Sequence, residues 1–353
     1  MLARLYILIA VLVLGAACTT QTVSQDTDAH TGATGPNGEA QVGLSAAALE
    51  LDSPEVGTQV ATRSDLWIQA GDDIRWCEVV EFPGEPEQTY AVERIEAMIT
   101  PQGRELFVSA AVPNSATAAL MEPGDRIPCN RAGEAFGEAL QGVVSSQQSY
   151  LDQRYPADVG KRFFGGQRLV VEHHYENPTD EPVQGQVLLN FHTTDAEQVS
   201  QHVQLTTCDN LTIYTPPKGH STHLGECALD APIQISELGR RTRSFGTDFK
   251  VWQVDENGTD TSLLWHSADH RDNQYEFETP LSLTPGERLR FQCSYRNTSD
   301  RELAFGATTD DETCSLLLTY WDPTEPTPEL KATPGRVLLN VDPDGIARNH
   351  HTP

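Results

Sequence analysis

The sequence predicts an all-β protein with two β-sandwich domains in tandem. Runs of alternating apolar and polar residues, each as long as an ordinary strand, recur from about residue 65 to residue 322. Turn pairs such as Pro83-Gly84, Asn257-Gly258 and Pro285-Gly286 separate the runs. The chain has 353 residues, which is enough for two domains with hydrophobic cores of ordinary size.

The predicted strands divide between an N-terminal domain, residues 65–205, and a C-terminal domain, residues 206–322. In the first domain the strands are residues 90–99, 105–112, 168–175, 186–192 and 199–205. In the second they are residues 211–214, 233–238, 248–254, 275–279, 289–295 and 315–321. Residues 131–151 form the one weakly helical interval, and we see no internal repeat.

Both ends of the chain are predicted to lie outside the two domains. Residues 1–18 combine Arg4, an apolar run and small residues before Cys18, which is the pattern of an export signal. The segment Gly15-Ala16-Ala17-Cys18 resembles a bacterial lipoprotein cleavage box and predicts lipid attachment at Cys18; simple cleavage and an uncleaved anchor are the alternatives. Residues 19–64 have few large apolar side chains and are expected to form a disordered tether, and residues 323–353 form a proline-rich tail.

Charge and export signal together limit the partners and the location. The formal net charge is -27, and a field of this sign repels nucleic acid and anionic lipid headgroups. We therefore expect no nucleic-acid partner, and we leave the ligand or envelope protein that binds this chain unidentified. The expected location is the bacterial envelope, as an outer-membrane lipoprotein that faces the periplasm or the surface.

The cysteines predict disulfide bonds. After Cys18 is set aside, an even number of cysteines remains, and no CxxC spacing suggests a zinc site or a redox motif. Pairing neighbours along the chain is the simplest of the 15 possible connectivities. A bond between the last two would close a loop of about 20 residues and stabilise the fold by about 3 kcal/mol. The six cysteines are Cys77, Cys129, Cys208, Cys227, Cys293 and Cys314.

The histidines are the first candidates for a metal site. His173 and His174 lie side by side in a predicted strand, so they point to opposite faces and only one can face a given metal. Both also fit a structural role in the core or on the surface. His220 and His223 lie in a predicted turn without an obvious third ligand. His266 and His270 lie in a polar loop with acidic residues, where we expect adventitious metal binding at most.

No catalytic motif of the common hydrolases or nucleotide-binding enzymes is present. The sequence contains no GxSxG, no HExxH, no phosphate-binding loop and no dinucleotide fingerprint. Carboxylates are abundant in so acidic a chain, so a glycosidase-type pair cannot be selected from the sequence. A hydrolase that uses carboxylates between the domains stays open as a third, weaker hypothesis.

The order of several segments resembles a known family. Cys77 is followed by residues 155–160, Gly165-Gly166 and the segment LVVEHHYENP, and then by residues 214–217 before Cys227. Residues 272–275 and the segments QCSYRN and FGATTDDETC follow. Over residues 65–322 this order resembles the copper type II, ascorbate-dependent monooxygenases related to peptidylglycine α-hydroxylating and dopamine β-monooxygenase, especially bacterial members. The resemblance implies two antiparallel jelly-roll sandwiches with a cleft between them.

The resemblance also implies positions for two coppers. The first copper of the family is held by an adjacent His-His pair and the His of a later His-Tyr; here the pair falls on Arg104 and Glu105, and His174 keeps the third position. The second copper is held by a His-x-His and a Met. These positions are occupied by Arg241, Arg243 and Thr313. Five of the six ligand positions are therefore degenerate, which means that they carry residues other than the family's ligands. His174 is the one ligand residue that remains.

These substitutions predict that the copper chemistry has been lost. Arginine has no free lone pair, and a threonine hydroxyl is a poor substitute for the soft thioether that favours Cu(I). We expect no cofactor and a non-catalytic binding or scaffold protein. The alternative is an active copper- and ascorbate-dependent monooxygenase acting on a small molecule or peptide, in which other histidines rebuild a site. Arg241 and Arg243 are expected to be solvated or salt-bridged, with carboxylate or phosphate binding between the domains as the alternative.

Overall fold

The computed structural model describes residues 49–86, 88–129, 140–228, 231–269, 272–306, 310–324 and 336–337. Cys18, His270 and most of the two predicted end segments lie outside these residues. Strands account for 60% of the structure and helices for 3%, so the all-β prediction is confirmed. None of the helices in the described segments has the length and apolar character needed to cross a membrane.

The N-terminal half is built from short antiparallel strands. It also contains a four-residue helix, α1 (Ala116–Ala119), and a 3-10 turn at Ala196–Gln198. Its strands are β1 (Gly57–Ala61), β2 (Leu66–Ile68), β3 (Asp73–Glu81), β4 (Thr89–Ile99), β5 (Gly103–Ala111), β6 (Arg126–Pro128), β7 (Leu140–Ser146), β8 (Tyr150–Arg154), β9 (Val159–Phe164), β10 (Arg168–Glu176), β11 (Val183–Gly185), β12 (Val187–Thr194) and β13 (Gln201–His202).

The C-terminal half is also built from β-strands. Its strands are β14 (Gln204–Asp209), β15 (Tyr214–Thr215), β16 (His220–Ala228), β17 (Ile233–Arg241), β18 (Gly246–Val254), β19 (Asp260–Ser267), β20 (Gln274–Leu283), β21 (Arg288–Arg296), β22 (Leu303–Ala304), β23 (Ser315–Trp321) and β24 (Arg336–Val337). In β21 the alternation read from the sequence holds, because Leu289, Phe291, Cys293 and Tyr295 are buried and the residues between them are not.

One large sheet runs through both halves. Its strand order is β20-β17-β23-β14-β7-β5-β10-β3-β6, so the first four strands come from the C-terminal half and the last five from the N-terminal half. In each half a second sheet supplies further strands: β1-β12-β4-β9-β13 with β8 beside β4, and β19-β18-β21-β16-β24. Each half has its own apolar cluster. The division into two domains stays a prediction, because all the described residues belong to one compact unit.

The six cysteines form disulfides between chain neighbours, so the prediction of disulfide bonds is confirmed. The bonds join Cys77 to Cys129, Cys208 to Cys227 and Cys293 to Cys314. The first lies beside a small apolar cluster that contains Val79, Met121 and Val170. The other two belong to the core of the C-terminal half.

Two predictions about local structure are wrong. The interval expected to be weakly helical contains β7 and part of β8, and residues 131–139 lie outside the described part of the chain. Strand β7 is held by β5 on one side and β14 on the other, so tertiary pairing overrides a weak local preference. The predicted disordered tether includes β1, which pairs with β12 through its backbone and buries Val60. An edge strand needs few apolar side chains, which is why composition did not reveal it.

The structure also reveals a short repeat that the sequence did not show. At the end of β10, Asn177 donates from Nδ2 to three carbonyl oxygens and accepts at Oδ1 from the backbone and hydroxyl of Thr179. At the end of β21, Asn297 makes the same contacts with three carbonyl oxygens and with Ser299. Only a few side chains define this corner, so the two copies are too short to stand out in the sequence.

The ladder that joins the two halves is short, and polar side chains supplement it. Strand β14 pairs with β7 through Leu205 and Gly142, and a Cβ at Gly142 would lie 2.8 Å from the Leu205 carbonyl oxygen. Beside this contact Glu237 is buried and accepts hydrogen bonds from Gln153 at 2.9 Å and Gln274 at 3.4 Å. Burial raises the pKa of Glu237 to about 7.

We predict that Glu237→Gln stabilises the protein at alkaline pH. The folded-state pKa lies above the ordinary value of 4.5, so stability is fully present below about pH 4.5 and is lost as the pH rises through 7. At pH 8 the free energy of unfolding of the variant should exceed that of the wild type by about 3 kcal/mol, and at pH 4.5 the difference should be much smaller. Urea unfolding at both pH values measures it.

The matched control is Glu278→Gln, an exposed residue of the neighbouring edge strand β20. This variant should show no comparable dependence on pH. A gain from Glu237→Gln that is equal at pH 4.5 and pH 8 would mean that the buried carboxyl does not limit the stability of the junction.

Candidate functional site

Three adjacent strands of the N-terminal half place charged side chains on one face. His174 of β10 lies opposite Glu105 of β5 and opposite Arg75 of β3, so the three side chains share a face of the large sheet. Glu172 lies two residues before His174 and faces the same way. The other face carries His173 and Leu106 toward the core of this half. The charged face is therefore turned away from the N-terminal core.

Arg241 of the C-terminal half completes this group. It ends β17, and its guanidinium forms a hydrogen-bonded ion pair from Nε to Glu105 and another from Nη2 to Glu172 Oε1 at 2.7 Å. Arg75 contacts the same two carboxylates, at 2.6 Å and 2.7 Å. We call Arg75, Glu105, Glu172 and Arg241 the junction cluster. It alternates two cations with two anions and joins the two halves.

Charge compensation keeps the junction cluster ionised. The side chain of Glu105 is only 3% exposed, so burial opposes its ionisation; the charges of Arg241 and Arg75 outweigh burial and lower the pKa to about 2. Burial likewise opposes the charge of Arg241, but Glu105 and Glu172 raise its pKa above the usual value. A carboxylate with so low a pKa cannot act as a general acid near neutral pH. The pair Glu105 and Glu172 therefore gives no support to the hydrolase hypothesis.

His174 and Arg104 lie at the edge of this site. The Nε2 atom of His174 is 2.6 Å from a carboxylate oxygen of Asp73, so a carboxylate contacts the ring nitrogen that would face a metal. Arg104 pairs with Glu176 at 2.9 Å, and both side chains are about half exposed. Arg104 is thus a surface residue. Of the positions assigned to the first copper, Glu105 belongs to the junction cluster and His174 lies next to it.

The positions assigned to the second copper lie close together. Thr313 donates from its hydroxyl to the backbone carbonyl of Arg241 at 3.3 Å. Arg243 donates to the carbonyl oxygens of Asp311 at 2.9 Å and Gly306 at 3.2 Å, and its backbone N–H donates to the buried Glu312 carboxylate. Burial, together with the charges of Arg75 and Arg241, lowers the pKa of Arg243 to about 10. The strand geometry brings the three positions together, but their side chains hydrogen bond to the protein.

His173 is a core residue. It is almost completely buried, and neither ring nitrogen finds a hydrogen-bond partner among the described residues. Burial lowers its pKa to about 3, so the ring is neutral at physiological pH. The ring packs edge-on against Tyr175, with centroids 5.2 Å apart.

The other histidines named above do not gather around a point. His223 accepts a hydrogen bond from the Tyr214 backbone and His220 is exposed, both on β16. His266 lies on β19 and contacts Asp248 at 2.6 Å. Within the described segments, the potential ligand atoms that come within 4.8 Å of one another as a group of three belong to Cys77, Cys129 and Glu172. Because the two cysteines form a disulfide, they offer no thiolate to a metal.

The residues at the assigned ligand positions therefore do not fit copper. Guanidinium groups stand where imidazoles would be needed, and a hydroxyl stands where a thioether would be needed. The expectation that Arg241 is salt-bridged holds, and its partners were not identified from the sequence. Arg75 and Glu172 were missed, although each is a charged residue next to apolar residues in a strand run, IRWCEVV and LVVEHHY. That interruption is the signal that could have identified them.

Two concave surfaces of the N-terminal half lie away from the junction. Two adjoining grooves on the outer face of the smaller N-terminal sheet have volumes of about 700 Å³ and about 760 Å³ and share Glu93, Arg94 and Thr194. Arg94 forms ion pairs with Glu96 at 2.6 Å and Asp152 at 2.5 Å. No residue of the junction cluster lines either groove.

Comparison with solved structures finds distant jelly-roll proteins of viruses. A protein of an archaeal virus with a triple jelly-roll fold is 9% identical, with 76% of this chain and 60% of that chain covered and a TM-score of 0.23. A structure of infectious bursal disease virus strain Gx is 12% identical, with coverages of 80% and 76% and a TM-score of 0.20. This chain thus spans less than two thirds of the archaeal virus protein, and superpositions this loose carry no argument about sites.

Comparison with protein families gives a match in the C-terminal half. Residues 198–334 match the C-terminal domain of the copper type II ascorbate-dependent monooxygenases. The matched segment includes Arg241, Arg243 and Thr313, and it begins just before β14. The family resemblance predicted from the sequence is confirmed over this segment. Residues 198–334 are thus similar to the C-terminal domain of this family.

Proposed function

We propose that this protein is a non-catalytic member of the monooxygenase family that has lost both copper sites. In this proposal it acts as a binding or scaffold protein of the bacterial envelope. The observation that carries the proposal is the ion pair between Glu105 and Arg241. The resemblance assigns one of these residues to the first copper site and the other to the second, and here they neutralise each other.

Electrostatics opposes a copper ion at this place. A guanidinium about 4 Å from Cu(II) would be repelled by roughly 8 kcal/mol at an effective dielectric constant of about 20. Moving Arg241 away would leave Glu105 and Glu172 partly uncompensated, and breaking a buried ion pair costs about 3–5 kcal/mol. Both costs would have to be met before any ligand contributed binding energy.

The alternative function is an active copper- and ascorbate-dependent monooxygenase that uses a different ligand set. It requires at least three nitrogen or sulfur donors within about 4 Å of one point. The candidate histidines of the described segments lie on three strands, β10, β16 and β19, and His174, His223, His266 and His173 contact carboxylates, backbone or core residues. This arrangement favours the non-catalytic proposal over the alternative.

Placement at the envelope rests on the chemistry of the cysteines. Three disulfides are typical of a protein that folds in an oxidising compartment. The apolar N-terminal segment and the Gly15-Ala16-Ala17-Cys18 box supply the export signal and the lipid attachment in this proposal. An acyl anchor would hold the folded part at a membrane surface.

We predict that the purified protein holds substoichiometric copper after loading with Cu(II) or with Cu(I) and subsequent dialysis. Elemental analysis measures the copper content, and the His174→Ala variant should give the same value as the wild type. Ascorbate-dependent oxygen uptake should be absent from both. One copper per chain in the wild type that disappears in His174→Ala would overturn the proposal.

A ligand-restoring variant tests the assigned positions independently. It combines Arg241→His, Arg243→His and Thr313→Met with Glu105→Gln, so that Glu172 keeps Arg75 as its cation. Because the three positions lie close together, this variant should gain up to one copper per chain, bound most tightly as Cu(I). Copper contents equal to the wild type in a folded variant would count against the assignment of these positions.

We predict that Cys18→Ala releases the protein from membranes. In a bacterial host, metabolic labelling with a radioactive fatty acid should mark the wild type and not the variant, and the variant should move from the membrane to the soluble fraction. A Cys77→Ser variant serves as the control, since it changes a cysteine of the folded part and leaves Cys18 in place. Fatty-acid labelling of the Cys18→Ala variant would contradict lipid attachment at this residue.

A further inference from the structure

We propose that the junction cluster is a clasp that fixes the two halves of the protein against each other. Three of its members, Arg75, Glu105 and Glu172, come from adjacent strands of the N-terminal half. The fourth, Arg241, comes from the end of β17 in the C-terminal half. Thermal unfolding and hydrogen exchange test the clasp, and neither measurement depends on copper content.

The N-terminal half presents a receptor for one cation. Arg75, Glu105 and Glu172 together carry a net charge of -1, and their side chains are between 3% and 20% exposed. Such a group is costly to bury unless a further positive charge neutralises it. Arg241 brings the sum to zero. The electrostatic requirement of one half is thus met by a residue of the other half.

The geometry of the receptor selects arginine. Arg241 offers Nε to Glu105 and Nη2 to Glu172, so the planar fork of the guanidinium contacts two different carboxylates at once. Its Cζ atom also lies 5.5 Å from the centroid of the Phe107 ring, whose residue belongs to β5. A lysine ammonium has the same charge but cannot reproduce the fork or the stacking.

Neighbouring hydrogen bonds cross the junction beside the cluster. Gln147 donates to the carbonyl of Thr242 at 2.8 Å, which places a second link next to Arg241. Gln148 donates to the side chain of Asn273 at 3.1 Å. Because the pairing of β7 with β14 involves only Leu205 and Gly142, side chains carry much of the attachment between the halves. The clasp is the charged part of this attachment.

A closed junction has a consequence for binding. The guanidinium of Arg241 is in direct contact with the carboxylates of Glu105 and Glu172. A ligand for these carboxylates would therefore have to displace Arg241, so the clasp would have to open first.

The test uses Arg241→Met and Arg241→Lys in the full chain. The first substitution leaves two buried carboxylates with a single cation, so the thermal midpoint should fall by about 10 °C. In Arg241→Lys the thermal midpoint should fall by at least half as much. The ammonium keeps the positive charge but cannot contact both carboxylates in the way that the planar guanidinium does. In the Arg241→Met background, adding Glu105→Gln should cost less than Glu105→Gln costs in the wild type, since the two residues interact directly.

The matched control is Arg104→Gln, which removes an arginine from an ion pair on the same strand as Glu105. Both partners of that pair are about half exposed, so the midpoint should change by less than about 2 °C. If Arg241→Met has as small an effect as this control, the clasp does not exist.

Hydrogen exchange locates the effect and separates a clasp from a general loss of stability. In Arg241→Lys, which preserves charge, the amides of β7 and β14 at the junction should exchange about tenfold faster than in the wild type. The amides of β21, in the core of the C-terminal half, should be unchanged. Equal acceleration across β7, β14 and β21, or no acceleration at β7 and β14, would overturn the proposal.

Discussion

A buried carboxylate must be neutralised or hydrogen bonded, and this requirement governs the centre of the molecule. Glu105 is almost completely removed from water, and two guanidinium groups keep it ionised. One of these groups belongs to the same half of the chain and the other to the opposite half. The packing of the halves, the position of β17 and the fate of the assigned copper positions are all linked to this balance of charge.

The residues at the assigned copper positions make contacts within the protein. Arg241, Arg243 and Glu105 are charged, whereas Thr313 carries a hydroxyl. Glu105 and Arg241 bind each other, Arg243 donates to carbonyl oxygens, and Thr313 donates to the backbone of Arg241. Each of these side chains thus has a partner within the protein.

The shared sheet explains why the junction is sensitive to charge. Strand β23 lies between β14 and β17, is buried along its whole length and is mostly apolar, so the large sheet has an apolar interior in the C-terminal half. At the boundary between the halves the ladder shortens to a single pair, and buried polar groups such as Glu237 take over. Polar contacts of this kind require a defined geometry and a defined protonation state, whereas apolar contacts require neither.

The sequence by itself determined the all-β class, most strand positions, the disulfide bonds and the resemblance of residues 198–334 to the copper type II monooxygenases, because alternation, cysteine parity and motif order are local properties. It also indicated that Arg241 and Arg243 cannot hold copper, since that follows from the side chains alone. Only the tertiary structure decided that Arg241 meets Glu105 and Glu172, that β1 joins a sheet, and that residues 140–146 form a strand. Those outcomes depend on residues far apart in the chain, and no local pattern encodes which distant charge will neutralise a buried one.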